Sequence, residues 1–451
     1  MPNRRRPYSP PPERPAAQPA TLDAADPRAL ALKVLQEIRS GEITLDELLT
    51  KHSYGLPSRD RNFLRQLLGS TLRHLGEIDA MLDLRYQPPQ DRTATRLTSV
   101  LRLGVAQLLF METSDHAAID STVSLARNVG LHKYTKLVNA VLRGIQRDGY
   151  HLPDGIEAWQ LDVPAWLRGV WKKTYGNDTA QAICEASLGQ AKLDLTIRDH
   201  DQIAFWADKL DGIILPTGTV RLESGQRIRD LPGYGDGAWW VQDASASLPA
   251  KLFSAYDGKT IYDLCAAPGG KTMQLASRGA SAIAVDKSEG RLKRVFDNLE
   301  RVRLAAAVVT GDATDLAADA PRADGVLVDA PCSATGTIRR HPDILLRDSD
   351  RLMKSLLPIQ QKLLQQADKL LNPGGELIYC TCSLQPDEGE HQIKSFLADH
   401  PGYARKPITA GELGGWGEAI TPDGALRILP THMADIGGMD GFFCARLVKQ
   451  G

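Results

Sequence analysis

Residues 261–272 read Ile-Tyr-Asp-Leu-Cys-Ala-Ala-Pro-Gly-Gly-Lys-Thr, and this stretch decides the fold. It joins a short apolar strand to a helix through a turn that contains Gly269 and Gly270. Paired glycines at such a turn let backbone N–H groups approach a ligand closely, and the helix N-terminus favours an anionic group. The turn therefore predicts a ligand site at the end of a buried strand.

The sequence Gly270-Lys271-Thr272 also invites comparison with the phosphate-binding Walker A motif. That motif needs a glycine at the position that Cys265 occupies here, and its loop does not contain a proline such as Pro268. A dinucleotide fingerprint is excluded as well, because the chain contains no G-x-G-x-x-G. The turn is therefore interpreted as the binding loop of a different kind of ligand.

Strands and helices alternate from about residue 258 onward. Short apolar runs separated by helical segments cover residues 260–264, 282–285, 306–309, 325–328 and 376–380. This pattern is typical of a doubly wound, mostly parallel sheet that is buried on both faces. The predicted fold class of this region is therefore α/β and Rossmann-like.

Acidic residues stand at the ends of the second and third predicted strands. Asp286 is well placed for ribose hydroxyls, and Asp312 is suited to the exocyclic amine of an adenine. A ligand with a charged amino-acid end, a ribose and an adenine fits the glycine turn and both acids, which predicts S-adenosylmethionine (AdoMet) as cofactor. The predicted cofactor-binding residues are Cys265, Ala266, Ala267, Pro268, Gly269, Gly270, Lys271, Asp286, Arg291, Asp312 and Asp329.

Two cysteine–serine pairs follow the fourth and fifth strands, in residues 329–333 (Asp-Ala-Pro-Cys-Ser) and 380–383 (Cys-Thr-Cys-Ser). Open α/β sheets place their ligands at this edge, which makes Cys332 and Cys382 candidate catalytic residues. The other thiols are interpreted as small buried hydrophobes. We predict no metal, because Cys380 and Cys382 are too close in sequence for a usual zinc site and no Cys/His cluster completes a tetrahedral set.

Together these motifs resemble those of the RNA cytosine-C5 methyltransferases, the Nol1/Nop2/Sun group, in the family's order across residues 237–448. The resemblance implies that Cys382 is the nucleophile and adds to C6 of cytosine, which activates C5. It implies that Asp329 holds the cytosine, and that Cys332 assists loss of the C5 proton and release of Cys382. DNA cytosine-C5 methyltransferases use a Pro-Cys pair instead, which would make Cys332 the attacker, but the presence of both cysteines favours the RNA assignment.

The chain departs from the family's pattern at a few positions. Residues 386–389 are Pro-Asp-Glu-Gly where the family commonly has Pro-Glu-Glu-Asn, and Ala334 replaces a glycine. Arg198-Asp199 stands where an Arg-Val-Asn-like strand end is usual. Cys380 is an additional thiol, predicted to be a buried strand residue that points away from Cys382.

Residues 21–150 are predicted to form an all-α bundle. Asp26 and Pro27 begin the first helix, Gly41 stops it, and further apolar stripes begin near Ser58, at residue 97, after His116 and near Tyr134. The region resembles the NusB-type helical domain through residues 59–61 (Arg-Asp-Arg) and 137–143 (Leu-Val-Asn-Ala-Val-Leu-Arg). That fusion is typical of the bacterial family member that acts on small-subunit rRNA.

Four segments follow from this organisation. Residues 1–22, with seven prolines in the first 20 positions, are predicted to be a disordered Pro/Arg-rich tail. Residues 23–150 form the NusB-like RNA-binding domain, 151–236 a linker and small α/β module, and 237–451 the AdoMet-dependent methyltransferase domain.

Composition limits how RNA is held. The 54 basic and 55 acidic residues exclude a surface coated in positive charge. Local candidates are Arg339, Arg340 and His341 for phosphates, while Trp239 and Trp240 either stack on bases or pack in a core. Six cysteines in 451 residues favour a reducing cytoplasm, and neither a signal peptide nor a membrane span is predicted.

The predicted function is transfer of a methyl group from AdoMet to C5 of a cytosine in 16S rRNA, either naked or in a partly assembled small subunit. We expect a monomer. The alternatives are the same reaction on tRNA or 23S rRNA, and a non-catalytic RNA-binding assembly factor. The intact cysteines and glycine turn argue against the non-catalytic alternative.

Overall fold

The computed structural model describes residues 26–38, 43–91 and 93–451. The tail predicted over residues 1–22 and the helix stop predicted at Gly41 lie outside these ranges. The chain divides into two compact units, with the division between Gly155 and Ile156. Within the described ranges, no helix is both long enough and apolar enough to cross a membrane.

The described part of the first unit is helical, as its apolar spacing predicts. Its helices are α1 (Pro27–Glu37), α2 (Leu45–His52), α3 (Ser58–Arg73), α4 (Leu75–Asp83), α5 (Ala94–Leu109), α6 (Asp115–Asn128) and α7 (Thr135–Asp148). The predicted stripes form the core: Val34 of α1, Leu97 of α5 and Leu142 of α7 are fully buried. Burial of these faces, rather than helix propensity alone, stabilises the bundle.

Side-chain caps begin the first two helices. The carboxylate of Asp26 accepts a hydrogen bond from the backbone N–H of Arg28 at 2.9 Å, with Pro27 in the first helical turn. Such a cap contributes about 1 kcal/mol. Helix α2 was absent from our prediction, although Thr44 and Glu47 form a reciprocal capping box whose T-x-x-E pattern is visible in the sequence.

The second unit opens with helices α8 (Ala158–Asp162), α9 (Ala165–Tyr175) and α10 (Asn177–Leu188), which our α/β prediction for this region did not include. A small antiparallel sheet follows in the order β2-β3-β1-β4, with α11 (Ile203–Lys209). Its strands are β1 (Leu193–Ile197), β2 (Ile213–Ile214), β3 (Val220–Leu222) and β4 (Trp239–Val241). Strand β4 lies beyond residue 236, where the predicted module ended.

Two neighbouring tryptophans of β4 pack in the interior. Trp239 and Trp240 are almost completely buried. Their indole N–H groups donate to the carbonyl of Pro232 at 2.8 Å and to Oε1 of Gln242 at 2.9 Å. Of the two interpretations of these residues, core packing is therefore confirmed and base stacking is excluded.

The main sheet contains the five apolar runs that the sequence predicts as strands. They are β5 (Thr260–Leu264), β6 (Ser281–Asp286), β7 (Ala307–Thr310), β8 (Ala323–Asp329) and β9 (Leu371–Thr381), which pair in parallel in the order β9-β8-β5-β6-β7. The accompanying helices are α12 (Gly270–Ser277), α13 (Glu289–Val302), α14 (Ser349–Leu370) and α15 (Glu390–Asp399). The predicted doubly wound fold is confirmed.

Antiparallel strands extend the sheet on one side, and the prediction did not include them. They are β10 (Tyr403–Arg405), β11 (Leu426–Ile428) and β12 (Phe442–Lys449), with β12 paired to β9. Strand order reverses at β5, which has β6 on one side and β8 on the other. In open α/β sheets a ligand crevice lies at such a point, beyond the carboxyl ends of the strands.

Candidate active site

The turn after β5 has backbone conformations that its sequence makes possible. Gly269 has φ +101°, and a Cβ on this residue would lie 3.1 Å from Cγ1 of Val295. Cys265 also has positive φ, at 64°. Helix α12 starts at Gly270, so its first backbone N–H groups lie at this turn. Such a turn holds a charged, partly anionic ligand end against backbone donors.

Asp286 lies at the carboxyl end of β6, directly beside the turn. Its carboxylate accepts hydrogen bonds from the backbone N–H of Ala267 at 3.3 Å and of Ser288 at 3.0 Å. The guanidinium of Arg291 donates to the carbonyl of Ala267 at 2.8 Å and lies 3.6 Å from the Asp286 carboxylate. The structure thus brings these two predicted cofactor residues together around the turn.

Asp312 follows β7 and is exposed. Its Oδ1 accepts hydrogen bonds from the backbone N–H of Thr314 at 2.9 Å and from its hydroxyl at 2.7 Å. The backbone hydrogen bond, followed by the hydroxyl, lowers the pKa of Asp312. The carboxylate is therefore ionised at neutral pH, and Oδ2 remains available to a ligand amine.

Asp263, near the end of β5, is a buried acid that the prediction missed. Its Oδ2 accepts a hydrogen bond from the hydroxyl of Thr272 at 2.6 Å, whereas its Oδ1 has no hydrogen-bond partner among the described residues. Burial raises the pKa of Asp263 to about 7. The available signal was a carboxylate in an otherwise apolar strand, directly before the glycine turn.

The two predicted catalytic cysteines meet at the ends of β8 and β9. The sulfur atoms of Cys332 and Cys382 lie 3.5 Å apart, and both residues are partly buried. The hydrogen bond with Cys382, together with burial, raises the pKa of Cys332 well above its ordinary value. Residues 50 positions apart in the sequence therefore form one pair because β8 and β9 are adjacent and parallel.

Asp329 stands between the cysteine pair and the glycine turn. Its Oδ2 accepts a hydrogen bond from Nζ of Lys271 at 2.6 Å, and its Oδ1 lies 3.6 Å from the sulfur of Cys380. Burial opposes the charge of Lys271, but the carboxylate of Asp329 outweighs it and raises the pKa of the ammonium group. Lys271, which the sequence predicts as a cofactor-binding residue, thus donates its hydrogen bond to Asp329, the carboxylate beside the cysteine pair.

Cys380 is buried as predicted, but the prediction that it points away from Cys382 is wrong. Both residues belong to the same packing cluster on one face of the sheet, whereas Tyr379 packs on the other face. Side chains in a strand alternate with a period of two, so residues 380 and 382 share a face. The thiol of Cys380 supports Asp329 rather than filling the opposite core.

The prediction that Arg339 and Arg340 contact substrate phosphates is also wrong. Arg339 is buried and donates to the carbonyl of Gly437 at 2.7 Å. Arg340 donates to carboxylate oxygens of Asp243 at 2.7 Å and Asp440 at 2.8 Å. These acids lie about 100 residues away along the chain, so the sequence could not show that the arginines have internal partners.

Comparison with known proteins agrees with this geometry. The family model described as 16S rRNA methyltransferase RsmB/F matches residues 250–448, and the NusB family model matches residues 25–147. The ribosomal RNA small subunit methyltransferase B of Cronobacter sakazakii is 34% identical over 94% of this chain and 98% of its own. The probable ribosomal RNA small subunit methyltransferase B of Synechocystis is 32% identical, and the match covers 94% of this chain and 99% of that protein.

The chain belongs to the RsmB/F methyltransferase family. A solved structure of NSun6 from Pyrococcus horikoshii with SFG, an AdoMet analogue, matches the fold with a TM-score of 0.54. It is 18% identical and covers 64% of this chain and 98% of that one. Membership of the family identifies AdoMet as the cofactor. The backbone N–H groups of the glycine turn, the Asp263 Oδ1 that has no partner among the described residues, and the acids beyond β6 and β7 supply donors and acceptors that fit it.

Proposed function

We propose that the chain transfers a methyl group from AdoMet to C5 of a cytosine in 16S rRNA, through a covalent bond between Cys382 and C6. The observation that carries the proposal is the pair of thiols, 3.5 Å apart, next to Asp329 at the ends of adjacent strands. A nucleophile and a second proton-transfer group at this distance act on neighbouring atoms of one pyrimidine ring.

In the first step, the thiolate of Cys382 adds to C6, and the electrons of the C5–C6 double bond move so that C5 becomes nucleophilic. Asp329 accepts a hydrogen bond from the N4 amino group of the base and lies beside its N3 atom. Lys271 lies 2.6 Å from the same carboxylate and offsets the charge there. These two side chains orient the base before its carbon atoms react.

AdoMet supplies the methyl group as an electrophilic sulfonium. The residues that would hold it are the glycine turn with Gly269, the pair Asp286 and Arg291, and Asp312. Their order along the sheet matches an amino-acid end, a ribose and an adenine.

Cys332 assists the last step. The C6–S bond breaks, the thiol of Cys332 gives its proton to the departing sulfur of Cys382 3.5 Å away, the sulfur of Cys332 takes the C5 proton in its place, and the C5–C6 double bond returns. The raised pKa of Cys332 supports this assignment, because its neutral thiol is a poor attacking group and the thiolate left after it gives up its proton is a strong base. It also argues against the alternative in which Cys332 is the nucleophile.

The choice of 16S rRNA rests on the relatives, which are named as ribosomal RNA small subunit methyltransferases, and on the NusB match over residues 25–147. Bisulfite sequencing of rRNA and tRNA from cells with and without the gene tests it, because unconverted cytosines mark C5 methylation. A single protected cytosine in 16S rRNA that disappears with the gene is the expected result. A site in tRNA or 23S rRNA would overturn the substrate, and no lost site would overturn the reaction.

The covalent route has its own test. Incubation of the Cys332→Ala protein with AdoMet and substrate RNA should give a gel-shifted band that survives denaturant, since release of Cys382 is impaired. Cys184→Ala is the matched control, because it removes a buried thiol from a separate cluster. Trapping by Cys382→Ser but not by Cys332→Ala would reverse the roles.

A further inference from the structure

A buried carboxylate lies next to the loop that carries Cys332, and the mechanism above does not use it. Glu388, in the 3-10 turn Pro386–Glu388, has no exposed surface. Its oxygens accept hydrogen bonds from the backbone N–H of Ser333 at 2.9 Å and from the Ser333 hydroxyl at 2.5 Å. The residue directly after Cys332 is thus fixed by Glu388.

The residue directly before Cys332 is fixed by the same group of side chains. Nε2 of Gln360, on α14, donates to Oε1 of Glu388 at 3.1 Å and to the carbonyl of Pro331 at 3.0 Å. The backbone on both sides of Cys332 is therefore tied to the Glu388–Gln360 pair. The carboxyl group's own backbone is held too, since the hydroxyl of Tyr379 donates to the Glu388 carbonyl at 2.8 Å.

A buried carboxylate carries a desolvation cost that neutral donors only partly offset. The hydrogen bonds to Glu388 come from a backbone amide, a hydroxyl and a side-chain amide, and the guanidinium of Arg427 interacts with it by charge. Both carboxyl oxygens of Glu388 accept from the backbone N–H of Ser333, at 2.9 and 3.2 Å, and hydrogen bonds to a carboxylate are stronger than those to a neutral acceptor. The carboxyl group of Glu388 therefore fixes the position of the loop that carries Cys332.

We propose that Glu388 is a positioning residue that sets the place of Cys332 for the release of Cys382 from the methylated base. The inference rests on the proposed function and deepens it. Glu388 touches neither base nor cofactor; it acts through the backbone of residues 331–333. A shift of the Cys332 sulfur leaves attack by Cys382 possible and slows the breaking of the C6–S bond.

The test is Glu388→Gln in the full-length protein. Glutamine has nearly the same size and shape as glutamate but forms a weaker hydrogen bond with the backbone N–H of Ser333. We expect kcat to fall about 100-fold, as for a catalytic group displaced by about 1 Å. The KM for RNA should stay within about twofold, since ground-state binding is unchanged. A denaturant-stable RNA adduct should accumulate with AdoMet, as in Cys332→Ala. A merely structural role would lower adduct formation and turnover together.

Glu376→Gln is a matched control. Glu376 is also a buried carboxylate, and it accepts hydrogen bonds from the backbone N–H of Ser254 at 2.7 Å and from its hydroxyl at 2.6 Å. It lies in the middle of β9, six residues before Cys382. This variant should lose stability with kcat unchanged and should accumulate no adduct.

Gln360→Met provides a second variant, because it frees the Pro331 carbonyl while leaving the Glu388 carboxylate in place. It should also accumulate adduct, and it decides the question if Glu388→Gln does not fold. If Cys332→Ala traps an adduct while folded Glu388→Gln and Gln360→Met do not, the inference is overturned and the proposed function stands. If Cys332→Ala traps none, the proposed function fails and the inference fails with it.

Discussion

The ends of β8 and β9 carry the same dipeptide, Cys-Ser, yet the two cysteines have different surroundings. The loop after β8 is held from both sides by Glu388 and Gln360, and the pKa of Cys332 is raised. The loop after β9 continues the strand, and the carbonyl of Cys382 accepts a hydrogen bond from the N–H of Gly336 at 3.0 Å. The same dipeptide thus stands in two loops that are held by different partners.

The difference separates two nucleophile assignments that residue types alone leave open. Burial raises the pKa of Cys184 and Cys265 to about 12 and also raises those of Cys380 and Cys444. The hydrogen bond with Cys382, together with burial, also raises the pKa of Cys332. Five of the six thiols are thereby held in the protonated form. The raised pKa of Cys332 therefore argues against Cys332 as the attacking group.

The largest expected effect comes from Cys382→Ala. Removing the attacking sulfur should lower methyl transfer about 10⁴-fold or more, because nothing else at the site adds to C6. The sulfur is not part of the glycine turn, so AdoMet binding measured by calorimetry should be unchanged. Turnover retained at even a few per cent of the parent rate would contradict the assignment of Cys382.

Gly336→Ala attacks the support that the two loops share. A Cβ at Gly336 would lie 2.0 Å from the carbonyl oxygen of Gly441, and Gly336 also donates to the Cys382 carbonyl. Two backbone segments must separate, so we expect about 3 kcal/mol of lost stability. We also expect about a 100-fold fall in kcat from displaced cysteines. Thermal unfolding and a methylation assay measure the two effects.

Gly402→Ala is the control for that change, because a Cβ there would meet nothing within 4 Å. It should alter stability by no more than about 0.5 kcal/mol and leave kcat unchanged. If Gly336→Ala behaves in the same way, the close approach of residues 336 and 441 does not support the cysteine loops.

Alkylation compares the two thiols directly. At pH 7–8 iodoacetamide should label Cys382 at least about tenfold faster than Cys332, since only a thiolate attacks. Because the pKa of Cys332 lies well above 9.0, its thiolate fraction and labelling rate should rise about tenfold per pH unit up to pH 9. Peptide mass spectrometry after short exposures gives both rates. Faster labelling of Cys332 would reverse the comparison.

The predictable parts of the site are those that local sequence determines. Gly269 and the acids Asp286 and Asp312 follow strands whose apolar runs are plain, and parallel strands bring their carboxyl ends to one edge. Cys332 and Cys382 could be placed together for the same reason. The two sulfur atoms lie close together because β8 and β9 are adjacent parallel strands.

The parts that failed depend on partners far away in the chain. Arg340 is predicted to contact RNA as a local basic residue. The prediction fails because its partners, Asp243 and Asp440, are about 100 residues away and no local pattern marks them. Glu388 was noted only as a departure within a motif, since its hold on Ser333 exists only in the folded chain. The orientation of Cys380 is an error of another kind. It could be predicted from the sequence, because side chains two residues apart in a strand share a face.

The smallest effect should come from Tyr175→Phe, a single hydrogen bond to the Cys382 loop. The Tyr175 hydroxyl donates to the carbonyl of Leu384 at 2.8 Å, and burial raises the pKa of this phenol to about 12, so it remains a donor at every working pH. Its loss should cost about 1 kcal/mol of stability. Kinetic assays should show about a fivefold fall in kcat, because the loop that positions Cys382 loses one of its supports.

Tyr256→Phe separates that local effect from general destabilisation. Its hydroxyl donates to the carbonyl of Ala250 at 3.0 Å, and burial raises its pKa to about 12 as well. The two variants should therefore lose similar stability, about 1 kcal/mol each. Only Tyr175→Phe should slow alkylation of Cys382 or lower kcat, because only its partner carbonyl follows the cysteine. If kcat falls equally in both variants, the hydrogen bond from Tyr175 does not position Cys382. Of the two cysteine loops, only the loop that carries Cys332 would then depend on hydrogen bonds from other elements.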